Sequence, residues 1–226
     1  MGVAHHVTQR GNAKRYILDT DADRMVYLGL LAENIKQHRA SLVGYCLTSN
    51  HVHLVMIPEE ANSLALSLKN AHGRYASYWN ASHRSSGHLW QGRFYSCPLD
   101  RSHLWKALRC TELNPVRAGL VSESSAWPWS SAAVHCGVGS SAIDLAMELW
   151  AEHWDPTTWK EYLEAGETDE ELKAIRQCTH TRRPLGEESF VRDLEEATQR
   201  PLSPKAGGRP AKSVEDSRQS TLFFEP

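Results

Sequence analysis

Two histidines separated by one residue, His51 and His53, are the residues whose types and spacing point most directly to chemistry. They lie in an apolar run, residues 45–58, whose valine, leucine and isoleucine content predicts a β-strand. Side chains two apart on a strand project from the same face of the sheet. Two neutral imidazoles on one face provide half of a divalent-metal site, whereas the alternative is a pair of histidines packed against a neighbouring strand.

Two further segments carry polar side chains in specific patterns. Residues 108–121 contain the run Asn-Pro-Val-Arg-Ala-Gly, which begins at Asn114 at the end of a predicted helix. Residues 87–94 interleave His, Trp, Gln, Arg and Phe with two glycines, which is typical either of a loop that grips a nucleic-acid strand or of a surface loop anchored by Trp90.

These segments, together with the run Ser-Asn-His-Val-His-Leu at residues 49–54, closely resemble the IS200-like transposases, the single-tyrosine members of the HUH endonuclease superfamily. The closest resemblance is to the bacterial branch associated with repetitive palindromic DNA, and it spans about residues 3–135 with the motifs in the family's order. The resemblance implies a metal-dependent endonuclease that binds hairpin single-stranded DNA. It would cut and rejoin that DNA through a covalent phosphotyrosine during DNA transposition and recombination.

The predicted metal site consists of His51, His53 and the amide oxygen of Asn114. Three protein ligands leave open positions for water or a phosphate oxygen, as a catalytic metal requires. A set of two nitrogens and one oxygen is compatible with Mg²⁺, Mn²⁺ or Zn²⁺, and phosphodiester chemistry together with the resemblance favours Mg²⁺ or Mn²⁺. The alternative for Asn114 is an ordinary residue at a helix end.

One position departs from the family pattern. The resemblance implies a nucleophilic tyrosine four residues before Asn114, and Cys110 stands there instead. A thiolate is a better leaving group than an alkoxide, so its attack on a DNA phosphodiester tends to reverse. The alternative is a small buried helix cysteine. The other tyrosines considered, none of them at the family's position, are Tyr45, Tyr75, Tyr78 and Tyr95.

Several basic and aromatic side chains of this region suit contacts with phosphates and unpaired bases. The expected DNA-binding residues are Arg74, Trp90, Arg93, Phe94 and Arg117, with Lys69, Arg84 and Tyr95 as further candidates.

Hydrophobic periodicity predicts the elements that must position these residues. Strands are expected at residues 3–9, 41–48, 51–57 and 94–99, and helices at 22–38, 63–81 and 102–114, with Met25 on the inner stripe of the first. The order β-α-β-β-α-β followed by a helix is a ferredoxin-like α+β arrangement. We therefore expect a catalytic domain over residues 1–135, a helical extension over 141–200 and a disordered tail over 201–226. The extension is expected to be either a DNA-binding module or a lid on the catalytic domain. Residues 207–210, Gly-Gly-Arg-Pro, resemble a minor-groove-binding tail, with a plain flexible tail as the alternative.

Charge is distributed unevenly along the chain, whose net charge is −2. Residues 1–140 hold 14 Lys and Arg against 9 Asp and Glu, and residues 141–180 hold 3 against 10. A basic first part suits a polyanion. The acidic part is expected either to be a solvated helical face or to pack as a counterweight against the basic domain.

Five scattered cysteines without a Cys-x-x-Cys pair predict reduced thiols. With no signal-like or membrane-spanning run in the sequence, this favours a cytoplasmic protein without a membrane partner. We expect a monomer, with a dimer as the alternative.

Four functions compete at this point. The leading hypothesis is an IS200-like transposase, and the second is a domesticated or inactive transposase that binds structured DNA without cutting it. A metal-dependent enzyme acting on RNA or nucleotides and a protein-interaction module are the remaining alternatives.

Overall fold

The computed structural model describes residues 2–203. Its strands are β1 (Ala4–Arg10), β2 (Ala40–Leu47), β3 (His51–Pro58) and β4 (Tyr95–Leu99). Its longer helices are α1 (Asp21–Gln37), α2 (Ser63–Ser82) and α3 (Arg101–Glu112). The helices that follow are α4 (Asn114–Arg117), α5 (Ala132–His135), α6 (Met147–Ala151), α7 (Pro156–Glu164), α8 (Asp169–Thr181) and α9 (Glu188–Thr198), and short 3₁₀ turns lie at Asn12–Lys14 and Ser124–Ala126.

The four strands form one antiparallel sheet in the order β2-β3-β1-β4. This order, with α1 between β1 and β2 and α2 between β3 and β4, is the split βαβ arrangement of ferredoxin-like folds. The prediction of an α+β fold with this topology is confirmed. Strand β4 lies at one edge and β2 at the other, so β1 and β3 run through the centre.

The two faces of the sheet bury different sets of side chains because neighbouring residues on a strand point to opposite sides. Val7, Val52 and Leu54 belong to a core shared with α1 and α2. Val55 and Cys97 belong to a second core shared with α3 and α7. His51 and His53 have the same parity as Val55, so they lie on the α3 side of the sheet.

Helix α3 approaches the sheet closely at Gly44, beside a bulge in β2. A Cβ atom at Gly44 would lie 2.2 Å from Leu108 Cδ1 and 2.7 Å from Ser131 Oγ. Only glycine therefore permits this approach. The close packing fixes the height of α3 above the strand that carries the histidines.

Helix starts follow the local capping chemistry. Thr20 accepts from the Asp23 amide at 3.1 Å, and the Asp23 carboxylate accepts from the Thr20 amide at 3.2 Å, which forms a capping box before α1. Asp100 accepts from the His103 amide at 2.8 Å and so begins α3. Met25, predicted on the inner stripe of α1, is instead 50% exposed, because Tyr27, Leu28 and Leu31 form that stripe.

The helix that was expected to run to Asn114 ends two residues earlier. Helix α3 ends at Glu112, and Asn114 begins the separate short helix α4 with Pro115 in its first turn. Proline lacks an amide hydrogen and fits the first turn of a helix, where that hydrogen has no intrahelical partner. Because of this break, Asn114 lies two residues after the end of α3 and belongs to α4.

The region after residue 140 packs onto the α3 side of the sheet. Trp159 and Leu163 of α7 are buried in the same cluster as Val43 and Val55 of the sheet. Leu185 donates its amide to Pro98 O at 2.8 Å and pairs with Leu99 at the edge strand. The predicted boundary between domain and extension stays a prediction, and the two segments share one hydrophobic core.

A buried polar cluster ties this region to α3. The Glu112 carboxylate accepts from Ser131 Oγ at 2.5 Å and from the Trp159 indole at 2.9 Å, and lies 2.6 Å from His135 Nδ1. Glu112 and His135 are fully buried. The Glu112 carboxylate is therefore engaged within this buried cluster.

Most of the predicted tail, residues 204–226, lies outside the described residues, as does the Gly-Gly-Arg-Pro run. Across residues 2–203, no helix is both long enough and apolar enough to cross a membrane.

Candidate metal and nucleic-acid site

The predicted metal ligands come together at one cavity of about 480 Å³ on the α3 side of the sheet. His51 and His53 lie on β3 with their ring centroids 5.0 Å apart. Cys110 of α3 and Asn114 of α4 line the same cavity, which we call the histidine cavity. Its other lining residues include His6, Thr8, Gln9, Arg10, Tyr95, Arg117, Arg176 and Thr179.

Hydrogen bonds determine which ring nitrogen of His51 faces the cavity. Nδ1 lies 2.6 Å from Asn50 Oδ1, an acceptor, and 2.8 Å from Thr48 Oγ1. Nδ1 therefore carries the proton, and Nε2 presents a lone pair. That Nε2 lies 3.2 Å from the Asn114 amide nitrogen. The hairpin turn between β2 and β3 thus orients the imidazole as a metal ligand requires.

His53 is oriented by residues that the sequence did not single out. Its Nδ1 lies 3.1 Å from His6 Nε2, and the two rings stack with centroids 5.3 Å apart. His6 Nδ1 in turn lies 2.8 Å from Thr179 Oγ1 of α8. His6 and Thr179 are both buried. The alternation His6, Thr8, Arg10 along β1 was the available signal for His6, and no sequence signal pointed to Thr179.

The environment keeps these imidazoles neutral. Burial, reinforced by the Arg10 and Arg117 charges, lowers the pKa of His51 to about 4. Burial also lowers the pKa of His6 to about 4 and that of His53 well below its ordinary value. Neutral imidazoles are the form that binds metals, so no proton has to leave them at neutral pH.

The donor set fits a divalent ion. His51 Nε2 and the terminal amide of Asn114 are 3.2 Å apart, and adjacent ligands of an octahedral ion with bonds of about 2.1 Å lie about 3 Å apart. Turning the Asn114 amide over places its oxygen at that position. Among residues 2–203 no three His, Cys, Asp or Glu side chains form a metal-binding group, so an ion here depends on the amide.

Cys110 lines the cavity but is almost completely buried. Its side chain is 2% exposed, and Arg117 Nη2 lies 2.7 Å from its carbonyl oxygen and 3.6 Å from its sulfur. Burial, with the Glu167 carboxylate nearby, raises the pKa of the Cys110 thiol to about 12. The thiol is therefore protonated at neutral pH and is not an activated nucleophile.

A second cavity, of about 550 Å³, lies on the other side of β4. We call it the aromatic cavity; its lining includes Lys69, His72, Trp90, Arg93, Phe94 and Arg182. Trp90 donates its indole N–H to His72 O at 2.9 Å, and its ring lies against His72, so it forms the cavity wall. Gln9 lines both cavities and donates to Gly92 O at 2.8 Å.

The structure separates the expected DNA-binding residues into three groups. Arg93 and Phe94 line the aromatic cavity. Arg117 lines the histidine cavity, but its guanidinium is paired with the buried carboxylate of Glu167. Arg74 lies away from both cavities and pairs with Glu33 at 2.7 Å on the surface of α1 and α2.

The four tyrosines considered as nucleophiles also lie in different parts of the structure. Tyr45 and Tyr75 are buried in the core on the far side of the sheet, where Tyr78 packs against Tyr75. Tyr95 of β4 lines the histidine cavity and is partly exposed, in line across the sheet with Thr8 and His53. Its ring stacks on His180 at 5.1 Å and lies under the Arg182 guanidinium at 4.8 Å.

The part of the chain that carries the strand histidines is similar to a known family. Residues 2–108 match the family model described as "Transposase IS200 like". This part of the chain is therefore similar to the IS200-like transposases. This match ends two residues before Cys110, so it contains His51 and His53 but neither Cys110 nor Asn114.

Two solved structures resemble this protein. One is a REP-associated tyrosine transposase bound to a REP hairpin, with 16% identity, 64% of this chain and 90% of that chain covered, and a TM-score of 0.49. The other, from Deinococcus radiodurans R1, is assigned as a transposase, with 14% identity, 53% and 86% covered, and a TM-score of 0.38. None of the curated proteins matches this sequence. The branch associated with palindromic DNA stays a prediction.

Proposed function

We propose that this protein binds hairpin single-stranded DNA with a divalent metal ion, Mg²⁺ or Mn²⁺, at the histidine cavity, and that it does not cut the strand through Cys110. The observation that carries the proposal is the convergence of His51, His53 and Asn114 in one cavity. Cys110, which stands where the resemblance implies a tyrosine, lines the same cavity as a buried, neutral thiol. The similarity to IS200-like transposases supplies the expectation of a DNA substrate.

His51 and His53 would hold the ion through Nε2, and Asn114 through its amide oxygen. A bound ion supplies Lewis-acid polarisation of a phosphate oxygen. Arg10 lines the same cavity and is exposed, so it is placed to contact a neighbouring phosphate. The protein's part is to hold one phosphate of the strand at the floor of this cavity.

The strand would extend from the histidine cavity past Gln9 into the aromatic cavity. There Phe94 offers a face for an unpaired base, and the exposed cations Lys69 and Arg93 lie beside it. Arg117 is not a free phosphate ligand in this scheme because Glu167 neutralises it. A monomer is sufficient, since every proposed contact comes from one chain.

Cys110 fails as a nucleophile on two physical grounds. Its thiol is protonated at neutral pH, since its pKa is raised to about 12. A thiolate that did attack phosphorus would also leave more readily than the DNA alkoxide, so the intact strand would be restored. We therefore assign Cys110 to packing at the cavity floor.

A second candidate, a cutting transposase, is favoured by Tyr95. It is partly exposed and lines the cavity of the proposed metal ligands, two strands from β3. Attack by its phenol oxygen on phosphorus would form the phosphotyrosine bond and break the P–O3′ bond. The phenol proton would pass through water to the leaving 3′ oxygen, which departs as a hydroxyl. That step would give the strand cleavage that Cys110 cannot.

The test is covalent trapping of labelled hairpin single-stranded DNA with Mn²⁺. The unaltered protein should shift the DNA in a native gel but form no adduct that survives denaturation. Cys110→Tyr should form the adduct, because it places a phenol in the cavity that His51, His53 and Asn114 also line. Cys110→Phe has the same ring without the hydroxyl and should form none.

Two results would overturn the binding-only proposal. An adduct on the unaltered protein that disappears in Tyr95→Phe would establish the cutting transposase instead. Absence of any hairpin binding at low salt would remove nucleic acid as the partner, because such binding is strongest when few counterions compete.

A further inference from the structure

A hydrogen-bonded chain runs from α8 into the metal site. Thr179 Oγ1 lies 2.8 Å from His6 Nδ1, and His6 Nε2 lies 3.1 Å from His53 Nδ1. Thr179 is 3% exposed and His6 is 2% exposed, so neither exchanges its partner freely with water. The chain joins three elements, α8, β1 and β3, that are far apart in sequence.

We propose that Thr179 and His6 are positioning residues that keep the lone pair of His53 Nε2 directed at the histidine cavity. The proposal deepens the metal-binding part of the proposed function and rests on it. A metal ligand must present an unprotonated nitrogen, so His53 must carry its proton on Nδ1. In this arrangement His53 Nδ1–H donates to His6 Nε2, and His6 Nδ1–H donates to Thr179 Oγ1.

The threonine hydroxyl is the acceptor that this arrangement needs for the Nδ1–H of His6. If it were absent, the buried Nδ1–H of His6 would lose its acceptor, at a cost typical of an unsatisfied polar group. His6 would then favour the tautomer with its proton on Nε2, which donates to His53 Nδ1. That forces the His53 proton onto Nε2, the atom that the ion needs.

Other contacts hold Thr179 in place. Glu171, at the start of α8, accepts from Arg109 of α3 at 2.6 Å and also pairs with Lys106. Leu185, just after α8, hydrogen-bonds to the edge strand β4. Helix α8 is thereby fixed to both α3 and the sheet, and its hydroxyl arrives at His6 with a defined geometry.

The test is Mn²⁺ affinity, measured on the full chain without DNA by electron paramagnetic resonance of free Mn²⁺. Thr179→Val keeps the shape and removes the hydroxyl, and it should weaken Mn²⁺ binding about 10–100-fold. Thr179→Ser restores the hydroxyl and should bind close to the unaltered protein. Thr181→Val is the matched control, because Thr181 lies on the same helix but is exposed and bonds only within it.

A folded Thr179→Val protein that binds Mn²⁺ as tightly as the unaltered chain would overturn the relay while leaving the metal site standing. An unaltered chain that binds no Mn²⁺ would overturn both. Should the valine variant not fold, the ¹⁵N shifts of the His53 ring in the unaltered protein decide. They should show a protonated Nδ1, and a protonated Nε2 would contradict the proposal.

Discussion

The sheet-bearing part of the chain and the helical region after residue 140 contribute to the site in opposite ways. The first holds the proposed ligands and the residues that match the family model of IS200-like transposases. The second has no recognisable motif, yet α8 supplies Ile175, Arg176, Thr179 and His180 to the histidine cavity. Residues that carry chemistry are visible in a sequence, whereas residues that orient them are ordinary in type.

The two regions also differ in charge, and ion pairs between them form where they are in contact. Glu167 pairs with Arg117 and Glu171 with Arg109, while acidic residues such as Glu161, Glu170 and Asp169 remain exposed. Both expectations for the acidic segment are therefore met in part. Pairing at the contact removes Arg117 from the set of free cations. The exposed cations that remain for the proposed DNA contacts include Arg10 at the histidine cavity and Lys69 and Arg93 at the aromatic cavity.

The largest effect on the link between the two regions is expected from Trp159→Ala. Trp159 is fully buried in the core shared by both regions and donates to Glu112. Its removal should lower the free energy of unfolding by about 3–5 kcal/mol, measured by urea denaturation. Because the core is shared, the whole protein should unfold in one transition at lower urea.

The control is Glu161→Ala on the same helix, which is exposed and should change stability by less than about 0.5 kcal/mol. A Trp159→Ala protein with two transitions, in which the sheet unfolds at its original urea concentration, would show that the regions are independent domains.

A smaller effect is expected on acidification. Burial lowers the pKa of His6, between the sheet and α8, to about 4, and that of His72, between α1 and α2, to about 3. The unfolded chain takes up protons first, so stability is complete above about pH 6.5 and is lost as the pH falls toward 4. Each histidine should contribute about 1.4 kcal/mol per pH unit within that window.

The measurement is urea denaturation at several pH values between 7 and 4, compared with His72→Leu. That variant should retain the contribution of His6, which links the two regions, and lose that of His72. An unchanged slope in His72→Leu would contradict the assignment.

The smallest expected effect distinguishes the aromatic cavity, which is proposed to contact DNA, from the surface of α1 and α2, which is not. Arg93→Ala should reduce the slope of log affinity for hairpin DNA against log salt by about 0.7, the loss of one phosphate contact on a single strand. Arg74→Ala is the matched change at an exposed arginine that pairs with Glu33 and should leave the slope unchanged. Equal effects of the two variants would remove the aromatic cavity from the binding path.

Much of the fold was predictable because it depends on local chemistry. Hydrophobic periodicity predicted the four strands and the three longer helices that follow the order of a ferredoxin-like fold. The expected strands at residues 41–48 and 51–57 are joined by a tight turn, in which the Thr48 amide donates to His51 O at 3.0 Å. Burial was less predictable, since Met25 and Tyr27 both suit a helix stripe and only the packing of α2 decides between them.

The sequence by itself determined the ferredoxin-like order of elements, the strand histidines and the departure at Cys110, because spacing within one element sets which side chains share a face. The tertiary structure alone decided that Arg117 is neutralised by Glu167, that Tyr95 lines the histidine cavity and that Thr179 supports His6. These contacts join residues up to 173 positions apart. Such pairings depend on how helices dock on the sheet, and hydrophobic packing over the whole core, not any local pattern, sets that docking.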